Sequence, residues 1–420
     1  MTGRVAPSLR GYRRSFLRPD LVAGATVWAV LVPESLAYAT IAGVPPVVGL
    51  YAAVPALVLY ALVGSSKHLV VGPMAATAAL SAGVVADLGG GGLDPVALTT
   101  ALAVTVGLVG IVAGAFRLGF LASFISAPVL KGFIVGLALT IAVGQLPALV
   151  GIGKGEGDFF AQLRHLLTHL GDADPLSVAT GAGTLVVVLG LRRWLPKVPG
   201  SLVAVALAIT AVAVLHLDTR GVDVVGPITA GLPSPGLPPV PFSGYLQLVA
   251  GALGVALVGF AEGLGAAKTY ASRHGYEVDP NRELLGLGVA NLGSGLVSGM
   301  VVNGSLSKTA VNGAAGARTE MSGLIAAALT VVTLLFLTGL FTRLPEPALA
   351  AIVIAAVIEL IDLRAIAVLY RMWTRRLGTI YGLAARADFA AALAAQLGVL
   401  VLDTLPGLFN GITLSLLLLL

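Results

Sequence analysis

The sequence predicts an all-α transmembrane protein of fourteen spans arranged as two inverted seven-helix repeats. Three observations carry that prediction: an apolar composition, recurring apolar runs of span length, and a one-sided distribution of cationic side chains. Apolar residues make up 57% of the chain and charged residues 11%, against roughly 25% charged in ordinary soluble proteins. Mean hydropathy is +0.98. A soluble domain with that balance has too little polar surface to stay in solution. The runs approach the ~20 residues a helix needs to cross ~30 Å of hydrocarbon. Glycine is abundant, at 54 residues, and in lipid small residues let helices approach closely. Cysteine is absent, which excludes disulfides, thiol catalysis and cysteine-ligated metal. A basic arm precedes the first apolar run and no small-residue cleavage site follows a short core, so no cleavable signal peptide is expected.

The apolar segments lie near 21–41, 47–63, 73–86, 96–115, 123–149, 177–191, 200–216, 246–266, 284–298, 304–315, 322–340, 346–360, 383–401 and 405–420. The cations test that count. Arg4, Arg10, Arg13, Arg14 and Arg18 occupy the N-terminal arm. With the arm in the cytoplasm, the other internal loops hold Lys67, Arg117, Arg192, Arg193, Lys197, Lys268, Arg273, Arg282, Arg318, Arg364, Arg371, Arg375, Arg376 and Arg386. The external loops hold only Lys154, Arg164, Arg220 and Arg343. An even count with both termini cytoplasmic, in the cell inner (plasma) membrane, satisfies this asymmetry. The net charge of +5 is then the positive-inside signal and headgroup contact. The basic residues are dispersed and carry no nucleic-acid recognition motif.

Two segments are too short and irregular to be simple spans. Ser65–Thr77 runs from a short β-branched stretch into Gly72–Pro73 and then a helix. Gly299–Thr309 runs from an extended stretch into Asn303–Gly304–Ser305 and then a helix. The two turns lie about 230 residues apart. Glu34 in the first span and Glu262 in the eighth share nearly that offset. Each half thus carries a membrane carboxylate in its first span and a broken segment in its third. Seven spans per half is odd, so the halves have opposite topology. Paired interruptions in inverted halves point to a transporter's site. Broken backbone at membrane depth is tolerated only where protein or a wet cavity satisfies it. A half-helix starting there offers free N–H groups and a partial positive charge, and two facing ends make an anion site.

Several motifs resemble the sulfate permease (SulP) family of anion transporters, which includes pendrin and prestin. They are Leu17–Gly24, Val32–Ala39, Ala42–Tyr51, Tyr60–Ser66, Asn281–Leu284 and Gly304–Asn312, in the family's order along essentially the whole chain. The resemblance implies a core domain, about 20–116 and 246–340, moving against a gate domain, about 117–245 and 341–420. It implies short strands before half-helices 3 and 10, with the anion bound between their starts, and a homodimer. Three departures stand out: Glu34 where members often have glutamine, Lys308 where many have arginine, and no proline near Val301 or Val302. The chain ends at Leu416–Leu420 inside the last span, where members usually continue into a cytoplasmic STAS domain. That ending is expected to be a truncation.

The candidate substrate-binding residues are Tyr38, Ala75, Ala76, Thr77, Gly304, Ser305, Leu306 and Lys308. The candidate proton or ion-coupling residues are Glu34 and Glu262. A carboxylate at a helix centre costs at least a few kcal/mol, so such residues face a cavity and have a role. An anion arriving near Glu34 favours its protonation, the thermodynamic condition for symport. Lys308 either attracts the anion or neutralises Glu262. Tyr38 lies one turn beyond Glu34 on the same face. Asn291, Asn303 and Asn312 are read as partners for broken backbone, and Gly107, Gly110 and Gly114 as helix packing. His165 and His169 have i, i+4 spacing but no third ligand, so no metal is expected. No nucleotide-binding loop or Ser/His/Asp set is present, and no cofactor or enzyme activity is expected. The sequence therefore points to secondary transport of a small anion (sulfate, bicarbonate or a dicarboxylate such as fumarate), coupled to protons. Sodium-coupled bicarbonate symport, exchange and channel-like conduction remain alternatives. Membrane lipid is the surrounding partner.

Overall fold

The computed structural model describes residues 6–88, 93–120, 126–155, 157–196, 198–228, 230–358 and 382–402, with scattered positions from 406 onward. The Gly89–Gly92 turn, Lys197, the cations Arg364, Arg371, Arg375 and Arg376, and most of the span read at 405–420 lie outside the described residues. Among the described residues there are fourteen α-helices and two short strands.

The helices are α1 (Arg14–Ile41), α2 (Val47–Val63), α3 (Ala75–Leu88), α4 (Pro95–Ala115), α5 (Ala127–Val150), α6 (Phe159–His169), α7 (Pro175–Trp194), α8 (Gly200–Leu215), α9 (Phe242–His274), α10 (Pro280–Leu296), α11 (Leu306–Ala314), α12 (Met321–Val332), α13 (Glu346–Ile358) and α14 (Gly382–Leu402). Strand β1 is Val70–Gly72 and β2 is Asn303–Ser305. Among the described residues, six helical stretches are long and apolar enough to cross a membrane, as a multi-pass protein requires. At 1.5 Å per residue, the 14 residues of α3 and the nine of α11 are too short to do so.

Helix starts follow a repeated local rule. Asp94–Pro95, Asp174–Pro175 and Asp279–Pro280 each place an acidic N-cap before a first-turn proline, and each Asp side chain accepts backbone N–H groups of its helix. The cap satisfies orphan donors, and proline there loses no hydrogen bond. Donations from Ser177 hold the half-buried Asp174 carboxyl below the usual carboxylate range. Helices α5 and α9 end at Gly151 and Gly275 with positive φ, the left-handed stop that glycine adopts freely.

Two differences from the sequence reading have physical causes. Helix α6 is an additional amphipathic helix, capped by Asp158, in what reads as a loop. Its polar face interrupts the apolar run that marks a span. The eleventh span is not uniform: α12 passes into a π-helical turn at Thr333–Leu337 and then a 3-10 stretch. Thr333 Oγ1 accepts from Trp28 Nε1 at 2.9 Å there, fixing the change of pitch against α1.

Helices α1–α4 pack with α9–α12, while α5, α7, α13 and α14 pack on one another and α8 lies against α7. Helix α4 packs against α10 backbone to backbone. A Cβ on Gly107 would lie 2.4 Å from Leu292 N, and one on Gly288 would lie 2.6 Å from Ile111 N. Backbone touches backbone here, so no side chain can yield.

At the end of the bundle that carries the N-terminus, the motif residues form one buried network. Glu283 accepts from Tyr60 Oη at 2.7 Å, Ser65 N at 2.8 Å, Ser65 Oγ at 2.6 Å and Ser66 N at 3.1 Å. Arg282 Nε donates to Val63 O at 2.8 Å. Asp20 accepts from Arg318 N, Thr319 N and Thr319 Oγ1. The network ties the connection before β1 to the start of α10 and thereby sets where the broken segment enters the bundle.

Two outcomes are expected in detergent thermal unfolding. Gly107→Val should lower the melting temperature and the monodisperse yield. Gly183→Val, where a Cβ meets nothing within 4 Å, should be silent. Glu283→Ala should destabilise by about 1–3 kcal/mol for each donor left buried without a partner, and Glu283→Gln, which keeps an acceptor oxygen, should cost less.

Candidate functional site

The site is built where the two broken segments cross. Strands β1 and β2 pair antiparallel, with Val70 opposite Ser305, Val71 opposite Gly304 and Gly72 opposite Asn303. Helix α3 starts just after β1 and α11 directly after β2, so one three-residue ladder delivers both helix starts to the same region. An extended backbone inside hydrocarbon must have every polar group paired, and side chains complete what the ladder leaves. Asn291 donates to Val302 O and accepts from Val302 N, both at 2.9 Å. Asn312 Nδ2 donates to His68 O at 3.0 Å. Thr309 Oγ1 accepts from Val70 N at 3.0 Å and donates to Ser305 O at 2.5 Å. Asn291 and Asn312 therefore serve the broken backbone.

Helix α9 supports the crossing from one side. A Cβ on Gly263 would fall 2.9 Å from Asn303 Oδ1, and one on Gly304 would fall 3.0 Å from Gly263 Cα and 2.8 Å from Leu69 Cδ2. Both positions need glycine because strand and helix backbones meet. Gly304 therefore serves packing between β2 and α9.

The first turn of a helix leaves N–H groups without carbonyl partners. At α11, Ser305 Oγ accepts from Lys308 N at 3.2 Å, and Ser305 Oγ lies 3.1 Å from Ser307 Oγ. Among the described residues, no partner is found for the amides of Leu306 and Ser307 or for those of Ala75 and Ala76. Leu306 is half exposed, whereas Ala75, Ala76, Thr77 and Ser305 are buried. Thr77 Oγ1 donates weakly to Met74 O, at 3.4 Å. It faces a cavity of about 20 Å³ shared with Asn291 and Asn303, behind the helix start.

The charged centre joins three segments. Lys308, 1% exposed, places Nζ 2.9 Å from Glu34 Oε2 on α1. Nζ also donates to Pro73 O, just before α3, at 3.0 Å, and lies 4.9 Å from the centre of the Tyr38 ring. The Glu34 contact is an ion pair without aligned hydrogen-bond geometry, since Oε2 has no hydrogen-bond partner. The aromatic face adds a cation–π contact. One ammonium thus links both helix starts with the carboxylate of α1. Glu34, Tyr38 and Lys308 are brought together. The sequence reading offered Glu262 as a charge partner for Lys308; among the described residues Lys308 pairs with Glu34 instead.

Glu262 lies on α9 beside the crossing, next to Gly263. Its Oε2 is enclosed, and among the described residues no hydrogen-bond partner is found for it. Two features escaped the sequence reading. The Pro73 carbonyl becomes a ligand of Lys308 only once the chain is folded. Asn303 Nδ2 is likewise buried, without a partner among the described residues, and Asn303 packs against α9 at Gly259 and Gly263. The glycine spacing on α9 was the available signal for that approach.

The histidine pair falls outside this site. The rings of His165 and His169 lie 4.2 Å apart, tilted by 32°, on α6, and no metal-holding group of three ligands is found among the described residues.

With this geometry in view, the chain can be compared with known proteins. Residues 17–381 match the sulfate permease family. A probable sulfate transporter of Mycobacterium tuberculosis is 39% identical over 409 residues, covering 97% of this chain and 71% of the relative. The transmembrane domain of a cyanobacterial bicarbonate transporter, BicA, superposes with a TM-score of 0.80 at 25% identity, over 95% of this chain and 98% of that one. The murine solute carrier 26 family member A9 anion transporter in its inward-facing state gives a TM-score of 0.88 at 22% identity, over 98% of this chain and 69% of that one. The last shares the fold. These relatives are transporters and not enzymes. With the family match spanning most of its length, the chain belongs to the sulfate permease family of anion transporters.

Proposed function

We propose that the chain is a secondary active transporter that carries a small anion together with a proton. The substrate class is sulfate, bicarbonate or a short dicarboxylate such as fumarate. The observation that carries this reading is the Glu34–Lys308 ion pair at the joined starts of α3 and α11. Free first-turn amides and two positive helix ends favour an anion there, and Lys308 adds the cationic side chain. Glu34 competes with the anion for that cation. Protonating Glu34 removes the competitor and a negative charge, so proton and anion binding favour each other. Reciprocal coupling of this kind is typically worth about 1–3 kcal/mol, or roughly 5–150-fold in affinity.

The site sits in the α1–α4 and α9–α12 group, which packs as a unit. We assign this group as the core of an elevator and α5, α7, α8, α13 and α14 as its gate. The core covers about 20–116 and 246–340 and the gate about 117–245 and 341–420, in two inverted seven-helix repeats. We place the chain in the plasma membrane with cytoplasmic termini, an orientation the cation distribution supports, and the family resemblance suggests a homodimer.

A second reading is sodium-coupled bicarbonate symport. Glu262 favours it, because an enclosed carboxylate oxygen without a partner is suited to a cation. The BicA neighbour, described as a bicarbonate transporter, has the same fold.

Labelled-anion uptake into proteoliposomes separates these readings. With an inward proton gradient, the protein should accumulate its anion above equilibrium in sodium-free buffer. Glu34→Gln should abolish that accumulation while anion counterflow persists, and gradient-driven accumulation in Glu34→Gln would refute proton coupling through Glu34. Strict sodium dependence, lost in Glu262→Gln, would establish the second reading.

Lys308→Gln should raise the anion KM by about tenfold or more, the usual size of a charge-assisted hydrogen bond. In Glu34→Gln/Lys308→Gln the orphaned carboxylate is gone, so folded yield should recover while the KM stays high.

A further inference from the structure

Among the described residues, the N-terminal arm and the start of α1 carry charge that the fold does not answer. Arg10, Arg13, Arg14 and Arg18 are exposed, and among those residues no guanidinium of the four has an ion pair or a hydrogen bond. No acidic residue precedes Asp20 in the sequence. Asp20 is buried and already accepts from Arg318 N, Thr319 N and Thr319 Oγ1. Glu320, whose amide meets Ser8, is buried as well. The exposed acids of the same end, Glu277 and Asp279, belong to the α9–α10 connection, where Asp279 caps α10.

The arm is folded onto the bundle. Ala6 N donates to Leu62 O in the last turn of α2 at 2.8 Å. The buried Ser8 Oγ accepts from Glu320 N, just before α12, at 3.4 Å. From there the chain turns through Gly11, with φ +69°, and Tyr12 N donates to Leu9 O at 3.2 Å. A backbone held at both ends of this turn lowers the ordering cost of bringing several arginines to one ligand.

The face of α1 that begins with arginine continues as an apolar one. Arg14, Leu17, Arg18, Leu21, Val22 and Ala25 recur at three- and four-residue spacing, which places them on one side of the helix. Leu17, Leu21 and Val22 are 46, 46 and 55% exposed. The opposite side, with Asp20, Ala23, Gly24 and Val27, is buried, and Gly24 abuts Ser322 and Ile325 of α12. On a membrane helix an exposed Leu/Val face meets acyl chains, while arginines nearer the helix end reach the phosphate level on their long stems. The guanidinium fork pairs with phosphate through two hydrogen bonds. This order of charge above and apolar surface below matches an amphiphile with a negative head. A soluble anion matches only the upper half.

We propose that the N-terminal arm and the first turns of α1 form a docking site for an anionic phospholipid. Arg14 and Arg18 hold its phosphate, Arg10 and Arg13 stand beside it, and the acyl chains lie along Leu17, Leu21 and Val22. A zwitterionic lipid brings the same phosphate with a cation of its own, which the arginines repel. The site is separate from the Lys308 crossing and does not rest on the transport reading.

The test titrates the purified protein in detergent with phosphatidylglycerol or phosphatidylcholine of identical acyl chains and counts bound lipid by native mass spectrometry. An arginine near an anionic surface contributes about fivefold in affinity. The first phosphatidylglycerol should therefore bind at least about tenfold more tightly than phosphatidylcholine. R14Q/R18Q should lose about tenfold or more of the phosphatidylglycerol affinity, with phosphatidylcholine affinity and thermal unfolding unchanged. R192Q/R193Q, which removes the same charge from the last turn of α7, should keep the preference. Should the double variant not fold, R18Q alone reads out the loss at about fivefold. No preference in the unaltered protein, a preference that survives R14Q/R18Q, or an equal fall in R192Q/R193Q each overturns the site. Inorganic phosphate at matched ionic strength should not displace the lipid, and displacement would overturn the lipid as occupant.

Discussion

A polypeptide that stops being helical inside hydrocarbon must pair its exposed amides and carbonyls with other protein groups, and that constraint organises this fold. The three-residue ladder between β1 and β2 is the first response, but an isolated pair of such short strands has little stability of its own. Asn291, Thr309 and Asn312 hold its ends, and α9 closes against it where Gly263 and Gly304 allow backbone contact. The Glu283 network then fixes the chain that enters β1. These devices satisfy the ladder without using the first-turn amides of the two helices, for which no partner is found among the described residues.

The same constraint explains why the charged residues come as a pair. A lysine 1% exposed is costly to ionise without a partner, and removing one member of a buried pair typically costs about 3–5 kcal/mol. Lys308 therefore needs Glu34. It also needs the Pro73 carbonyl, because a single carboxylate contact leaves ammonium protons unsatisfied. A pair this interdependent has a consequence for function. Anything that neutralises Glu34 changes what Lys308 can bind, without a change in the surrounding backbone.

Much of the fold was legible in the sequence because its signals are local. Span-length apolar runs, Gly72–Pro73 before a helix and Asn303–Gly304–Ser305 before another all act through neighbours in the chain. Glu34 was legible because a carboxylate in an apolar run is costly wherever it sits. The partner of Lys308 was not legible. It is set by the angle at which α1 crosses α11, which no spacing encodes; the sequence reading offered only Glu262 as a charge partner, while the resemblance leaned toward the substrate vicinity. Helix α6 was read as a loop because its apolar stripe is too narrow to register as a span. Asn303 was expected to serve backbone. Its Nδ2 instead remains without a partner beside α9, a consequence of the Gly259–Gly263 approach that appears only in three dimensions.

The two interrupted segments share a backbone plan but divide the chemistry unequally. The start of α11 carries a capping serine and a buried lysine, while the start of α3 offers only Ala75 and Ala76. Likewise Glu34 holds a charge partner, and none is found for Glu262 among the described residues. The inequality follows from space. Lys308 Nζ already reaches Pro73 O, so a second cation at the start of α3 would meet the first at close range and lose both solvation and a counter-ion. One cation must serve both helix ends. Two half-helices with independent charges would form two weak anion sites, whereas a shared ammonium draws both ends onto a single one. It is the side-chain asymmetry laid over a paired backbone that makes this crossing a single binding site.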